Sequence, residues 1–181
     1  MNKKIVSFGA SISSKSINQQ FAEFVGRKLG MATCSNISLR DFPLPLYSSD
    51  EEKSGGIPPN VKNLKAVLDE ADAYVISFAE HNGSFTAAYK NAYDWVSRLD
   101  AKVFADKPLL LLATSPGGRG GASVLAHALS LYSRGKEDKV VQFSLPGFSA
   151  NFDAEKDVIT DASLQEKLNQ TIEKFKLILA V

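Results

Sequence analysis

The sequence predicts an α/β fold: a five-stranded parallel sheet of order 2-1-3-4-5 with helices on both faces. Three observations lead there. Strand-like and helix-like segments alternate five times along 181 residues, the rhythm of successive β-α units. One strand-like run, Pro108 to Thr114, holds four consecutive leucines and reads as a strand buried on both faces. Polar loops rich in Ser or Gly follow strands one, three and four, and an open sheet of this order gathers ligands outside the carboxyl ends of those strands.

The elements follow in order. Lys4 to Phe8 is a short apolar strand ended by Gly9. Ser16 to Leu29 carries Ile17, Phe21, Phe24, Val25 and Leu29 at helical spacing, with Gly30 as its C′ residue. Thr33 to Leu39 is a second strand, less apolar and so expected near an edge. Asp41 to Ile57 reads as a loop, long enough to suggest a functional role. Pro58-Pro59 opens a helix continuing to Asp69-Glu70, as Pro favours the first turn. Ala73 to Phe78 is the third strand and Thr86 to Leu99 the third helix. After the Pro108–Thr114 strand come a helix from Gly121 to Tyr132, a strand from Lys139 to Leu145, and a last helix from Asp161 to Leu177. The length suits one domain over residues 1–181.

Composition narrows the function. Apolar residues make up 44% and charged residues 23%, and 21 Lys and Arg against 20 Asp and Glu leave a net charge of +1. Nothing electrostatic points to nucleic acid or a membrane surface. The segment after Met1-Asn2-Lys3-Lys4 is too short in apolar residues for a secretory leader, and no stretch approaches the ~20 residues of a membrane span. The single cysteine, Cys34, is expected as a small buried hydrophobe in a strand. These readings place the chain in the cytoplasm.

Three loops carry the chemistry. Gly9 to Asn18 leaves a strand, offers side-chain donors at Ser11, Ser13, Ser14, Ser16 and Asn18, and enters a helix whose free N–H groups attract anions. It has neither a dinucleotide-binding glycine pattern nor a Walker A pattern. Ala79 to Ser84 is a polar loop at the end of a buried strand. Thr114 to Gly121 has Gly117, Gly118, Gly120 and Gly121, which permit close backbone approach to a flat ligand. No nucleophilic triad and no metal-ligand set stand out.

Read together, these loops resemble the NADPH-dependent FMN reductases, the flavodoxin-like group that includes quinone, chromate and azo-dye reductases. Ala10-Ser-Ile-Ser-Ser-Lys-Ser-Ile-Asn18 looks like that family's phosphate loop. Ala79-Glu-His-Asn-Gly-Ser84 with Lys90-Asn-Ala-Tyr-Asp-Trp95 looks like its second block, and Ser115-Pro-Gly-Gly-Arg-Gly-Gly121 like its third. Asp41 to Tyr47 resembles a further loop of the family. Ser13 stands where the family has Arg, Ala79 where it has Pro, and His81 where it has Tyr. Lys15 is the cation nearest the lost charge.

The resemblance implies a flavodoxin-like three-layer sandwich that holds FMN. Ser11, Ser13, Lys15, Ser16, Ile17 and Asn18 would hold the phosphate. Glu80, His81, Asn82 and Gly83 would border the ring and ribityl chain, and Ser115, Pro116, Gly117 and Gly118 would meet the pyrimidine end. Hydride would pass from NADPH or NADH through flavin N5 to a small acceptor: a quinone, a flavin, an azo compound or a metal oxyanion. The chemistry is flavin-borne, with no catalytic side chain and no metal; His81 would modulate it with a titratable ring. Arg119 would bind either a nucleotide phosphate or a surface carboxylate, and Tyr47 and Phe85 would cover the flavin. A homodimer or homotetramer is implied, with Asn91 and Asp94 as caps or subunit contacts. The alternatives are a flavodoxin-like electron carrier and a flavin-free binding module.

Overall fold

The computed structural model describes residues 3–30 and 33–180. Met1-Asn2, the start of the segment weighed above as a leader, lies outside the described residues. In chain order the elements are β1 (Lys4–Ala10), α1 (Ile17–Lys28), β2 (Thr33–Asn36), a 3-10 turn at Leu39–Asp41, α2 (Ser49–Gly55), α3 (Pro59–Asp69), β3 (Ala73–Phe78), β4 (Glu80–His81), β5 (Ser84–Phe85), α4 (Ala87–Ser97), β6 (Leu109–Thr114), α5 (Ala122–Tyr132), a 3-10 turn at Glu137–Lys139, β7 (Val140–Leu145), α6 (Phe148–Asn151), β8 (Phe152–Asp153), β9 (Val158–Ile159) and α7 (Ala162–Ala180).

The main sheet runs β2-β1-β3-β6-β7, every pair parallel, which is the expected order. Its two faces feed two apolar clusters. Val6, Phe8, Tyr74, Ile76, Phe78, Leu109 and Leu111 point toward α3, α4 and α5. Ile5, Val75, Leu110, Leu112 and Phe143 point toward α1 and α7. The four leucines thus divide two and two by the strand period, and all four are fully buried.

The helices start where their caps dictate. Ser16 accepts the Gln19 N–H, and Thr86 accepts the Tyr89 N–H while donating to the Ala10 carbonyl at 2.9 Å. Pro59 is the first residue of α3. Gly9 is required by close approach: a Cβ there would sit 2.4 Å from the Gln19 nitrogen.

The structure corrects the sequence reading at four places. β2 stops at Asn36, because Leu39 turns into a 3-10 segment capped by the Ser38 hydroxyl. The Asp41–Ile57 stretch is not structureless: Ser48 caps α2, whose first turn carries Asp50, Glu51 and Glu52 against the helix dipole. Residues 146–160 hold α6 and the β8-β9 hairpin. Cys34 is half-buried on an edge strand, wedged near Gly26, whose added Cβ would lie 2.7 Å from its Sγ. Burial pushes its thiol above the ordinary range. Among the described residues, no helix is long and apolar enough to cross a membrane.

Candidate functional site

The loops after β1, β3 and β6 meet at the carboxyl edge of the three central strands, and one side chain ties them together. Asn18, buried in the first turn of α1, donates from Nδ2 to the Thr114 carbonyl at 3.1 Å. Its Oδ1 accepts the Ser77 hydroxyl at 2.7 Å and the Thr114 N–H at 3.1 Å. The amide assigned above to phosphate is therefore spent within the protein, joining α1 to the ends of β3 and β6.

The first wall is the segment from Ser11 to Asn18. Ser11 is buried and its hydroxyl accepts the Ser13 N–H at 3.1 Å, folding the loop back. Ser16 is buried with its Oγ on the Gln19 N–H. The side chains of Ser13, Ser14 and Lys15 face solvent above this turn. As first-turn groups, the Ile17 and Asn18 N–H have no acceptor inside the helix. The turn thus gathers hydroxyls and first-turn N–H groups at one end of α1, with Lys15 as the only cation in the segment.

The second wall is a hairpin. Glu80 pairs with Phe85 and His81 with Ser84, across a turn at Asn82-Gly83. Both turn residues have positive φ, 52° and 78°, the conformation of a type I′ turn, for which Asn-Gly is the preferred pair. That dipeptide was the sequence signal for a hairpin where the sequence reading took a polar loop. His81, Asn82 and Gly83 are exposed at its tip. Phe85 points the other way: it is buried against Phe78 and Tyr89 and stacks on His127 with ring centroids 4.7 Å apart. It supports the hairpin from below and does not cover a ligand.

Glu80 takes a structural part as well. Its Oε2 accepts the Val124 N–H at 3.0 Å, in the first turn of α5, where Gly121 supplies no side-chain cap. The second and third walls are thus held together. In the third wall the glycines split into two kinds. Gly120 and Gly121 have φ of 58° and 76°, and their Cβ positions would press on Ser144 and Ala113. Gly117 and Gly118 face open space, where an added Cβ would meet nothing within 4 Å. The Gly117 carbonyl is fixed by the Gly120 and Gly147 N–H groups, and the Ser115 carbonyl by the Phe148 N–H. This leaves a rigid, bare backbone surface turned outward beside the hairpin.

Within the chain, the Lys90–Trp95 block fixes a neighbouring segment. Asn91 Oδ1 accepts the Tyr47 N–H at 2.8 Å, and Asn91 Nδ2 and Trp95 Nε1 both donate to the Pro45 carbonyl. Tyr47 packs edge-on against Trp95 at 5.0 Å and donates its hydroxyl to Glu52, which also holds Arg98. Asp94 pairs with Lys90 one turn away. The block pins the Phe42–Tyr47 segment onto α4, so Tyr47 is committed to that contact.

A serine-rich strand-to-helix turn, a hairpin and a bare glycine surface lie at the switch point of a 2-1-3-4-5 sheet, the flavodoxin-like architecture, where open sheets of this kind bind their ligands. Solved structures share the whole architecture. FerB, a flavoenzyme NAD(P)H:(acceptor) oxidoreductase from Paracoccus denitrificans, superposes with a TM-score of 0.71 at 24% identity, covering 97% of this chain and 98% of that one. The apo form of an NADH:FMN oxidoreductase superposes at 0.67 with 18% identity, covering 97% and 89%. In sequence, the model of the NADPH-dependent FMN reductase family matches residues 3–146. The chain belongs to that family of oxidoreductases, whose cofactors are FMN and NAD(P)H. An NADPH:quinone oxidoreductase of Arabidopsis thaliana is 34% identical over 137 residues, 72% of this chain and 67% of the relative. A quinone reductase of Escherichia coli K12 is 34% identical over 111 residues, and that alignment spans 59% of each chain, less than two thirds of the relative's length.

Proposed function

We propose that this chain binds FMN across the three walls and uses NADPH or NADH to reduce a small acceptor, a quinone being the first to test. The observation that carries the reading is the pairing of the serine-rich turn at α1 with the bare Gly117-Gly118 surface on one sheet edge. The first suits a phosphate. The second lets a flat ring approach backbone N–H groups with no side chain in the way. When bound, FMN supplies the hydride-accepting and hydride-donating chemistry.

The protein's own part is binding, orientation and electrostatics. The hydroxyls of Ser11, Ser13 and Ser16, the Ile17 N–H and Lys15 hold the phosphate. His81, Asn82 and Gly83 border the ring, while Asn18 and Glu80 position the loops. Backbone N–H groups at Ser115, Gly117 and Gly118 favour negative charge at the end of the ring they face; Pro116 has none and shapes the turn. A cytoplasmic homodimer or homotetramer is part of the proposal. The lone cysteine supports the compartment, and the family resemblance supports the oligomer.

The test is the visible spectrum of the purified protein with an FMN titration. A yellow protein, or flavin quenching with a thermal shift on adding FMN, is expected, followed by steady NADPH consumption with a quinone. A colourless protein that neither quenches FMN nor shifts overturns the reading. A flavin-bound protein that consumes no NADPH or NADH is instead an electron carrier.

A further inference from the structure

The parallel ladder between β1 and β2 stops one rung early, and a side chain stands in the place of the missing bond. Ser7 pairs with Asn36, and the Ile37 N–H still reaches the Ser7 carbonyl at 3.0 Å. In a regular parallel ladder the Gly9 N–H would next donate to the Ile37 carbonyl. Here the carboxamide of the half-buried Gln19 joins the two groups instead. Its Oε1 accepts the Gly9 N–H at 2.8 Å, and its Nε2 donates to the Ile37 carbonyl at 2.9 Å. The same nitrogen donates to Glu23 at 2.8 Å, and the Gln19 N–H is held by the Ser16 cap hydroxyl at 3.1 Å. A side-chain amide both accepts and donates, so it can splice a rung whose two backbone groups stand apart. The bonding continues into the turn. The Gly9 carbonyl accepts the Ser11 N–H at 2.8 Å, and the Ser11 hydroxyl accepts the Ser13 N–H at 3.1 Å.

We propose that Gln19 is a positioning residue for the phosphate end of FMN: by splicing the last rung it sets the Gly9 peptide, and through it the Ser11–Ser13 turn. The inference rests on the FMN reading and deepens it, since it names a side chain that acts on the phosphate without touching it. Without the amide, the Gly9 N–H and the Ile37 carbonyl either stay unpaired or close on each other. The first loosens the start of the turn, because a backbone group without a partner is costly to keep in place. The second draws the end of β1 toward β2 and carries Ser11 and Ser13 away from the first turn of α1. In both cases the hydroxyls and N–H groups lose their alignment on a phosphate, and a binding group is only as good as the shell that holds it. The ring keeps its own walls, the hairpin and the Gly117-Gly118 surface, which Gln19 does not contact. The effect therefore falls on the phosphate and spares the ring.

Fluorescence titration with FMN and with riboflavin, which has the same ring and no phosphate, tests this. The wild type is expected to bind FMN tighter. Gln19→Met keeps the length without the amide, and Gln19→Asn keeps the amide one methylene short. Each should weaken FMN by about tenfold while moving riboflavin by less than about twofold. Hydrogen exchange in the wild type gives a second reading that needs no variant: FMN should slow exchange at the Gly9 N–H several-fold more than riboflavin does. A preference for FMN that survives in both variants, or equal slowing by the two flavins, overturns the inference. So does an equal loss of both flavins in the variants, which would make Gln19 a support of the whole fold, and so does a wild type that binds the two flavins alike. A wild type that binds neither flavin overturns the FMN reading itself, so the two failures are separable.

Discussion

Asn18 shows how much one side chain can decide. Its amide satisfies a buried hydroxyl and both backbone groups of Thr114. Asn18→Ala should destabilise the protein by about 2–4 kcal/mol, because it strands buried partners as well as losing its own bonds. Urea unfolding measures this, and a change under about 0.5 kcal/mol would show that the network is dispensable. At Ser13, substitution by Arg adds a cation to an exposed loop position beside the proposed phosphate site. FMN should bind about tenfold tighter or better, as expected for one charge-assisted hydrogen bond. Equal or weaker binding by fluorescence titration would mean that Lys15 or the hydroxyls already meet the phosphate. His81→Tyr should leave FMN bound and alter turnover or its pH dependence; an unchanged pH–rate profile would remove His81 from the chemistry.

At the scale of elements, the hairpin and the Phe42–Tyr47 segment repay comparison with the sequence. The five core strands and their helices were legible because burial on two faces leaves apolar runs that no loop would carry. The turn from β1 into α1 was legible too, as serines between a strand and a helix, with Ser16 as the cap. The hairpin was not, although Asn82-Gly83 announced it, because β4 and β5 are two residues each and give no alternation to read. The roles of Asn18 and Glu80 were hidden for a different reason. A polar side chain beside a site looks the same in sequence whether it faces the ligand or a buried backbone group. Gly83→Val tests the hairpin: a β-branched residue at φ 78° is strained. Binding of FMN should weaken several-fold while the global unfolding midpoint moves little, since the turn is exposed. A large drop in that midpoint would show that the hairpin belongs to the core.

Over the whole molecule, the α3-α4-α5 face of the sheet carries a run of buried phenols. Tyr89 and Tyr132 share a hydrogen bond of 2.6 Å, and Tyr74 donates to the Leu68 carbonyl. Burial holds all three well above the ordinary phenol range. The folded state then keeps protons that the unfolded chain releases above about pH 10, so stability is complete below that pH and falls as the pH rises past it. Urea midpoints taken between about pH 8 and pH 11 should decline at the upper end, and more gently in Tyr89→Phe/Tyr132→Phe, which removes two of the three groups. A flat profile in the wild type would mean that these rings ionise freely in the folded state.

The Asn18 fastener also has a consequence in time. Proteins open in cooperative units, and an amide exchanges with solvent only when its unit opens. The Thr114 N–H is bonded to the side chain of a residue 96 positions away. Its exchange therefore reports whether the first turn of α1 is in place, and loosening that turn would release the ends of β3 and β6 in the same event. The three walls would lose their order together, as one breathing motion. Bound FMN, by holding the first turn, would slow exchange at Thr114, on the far side of the site.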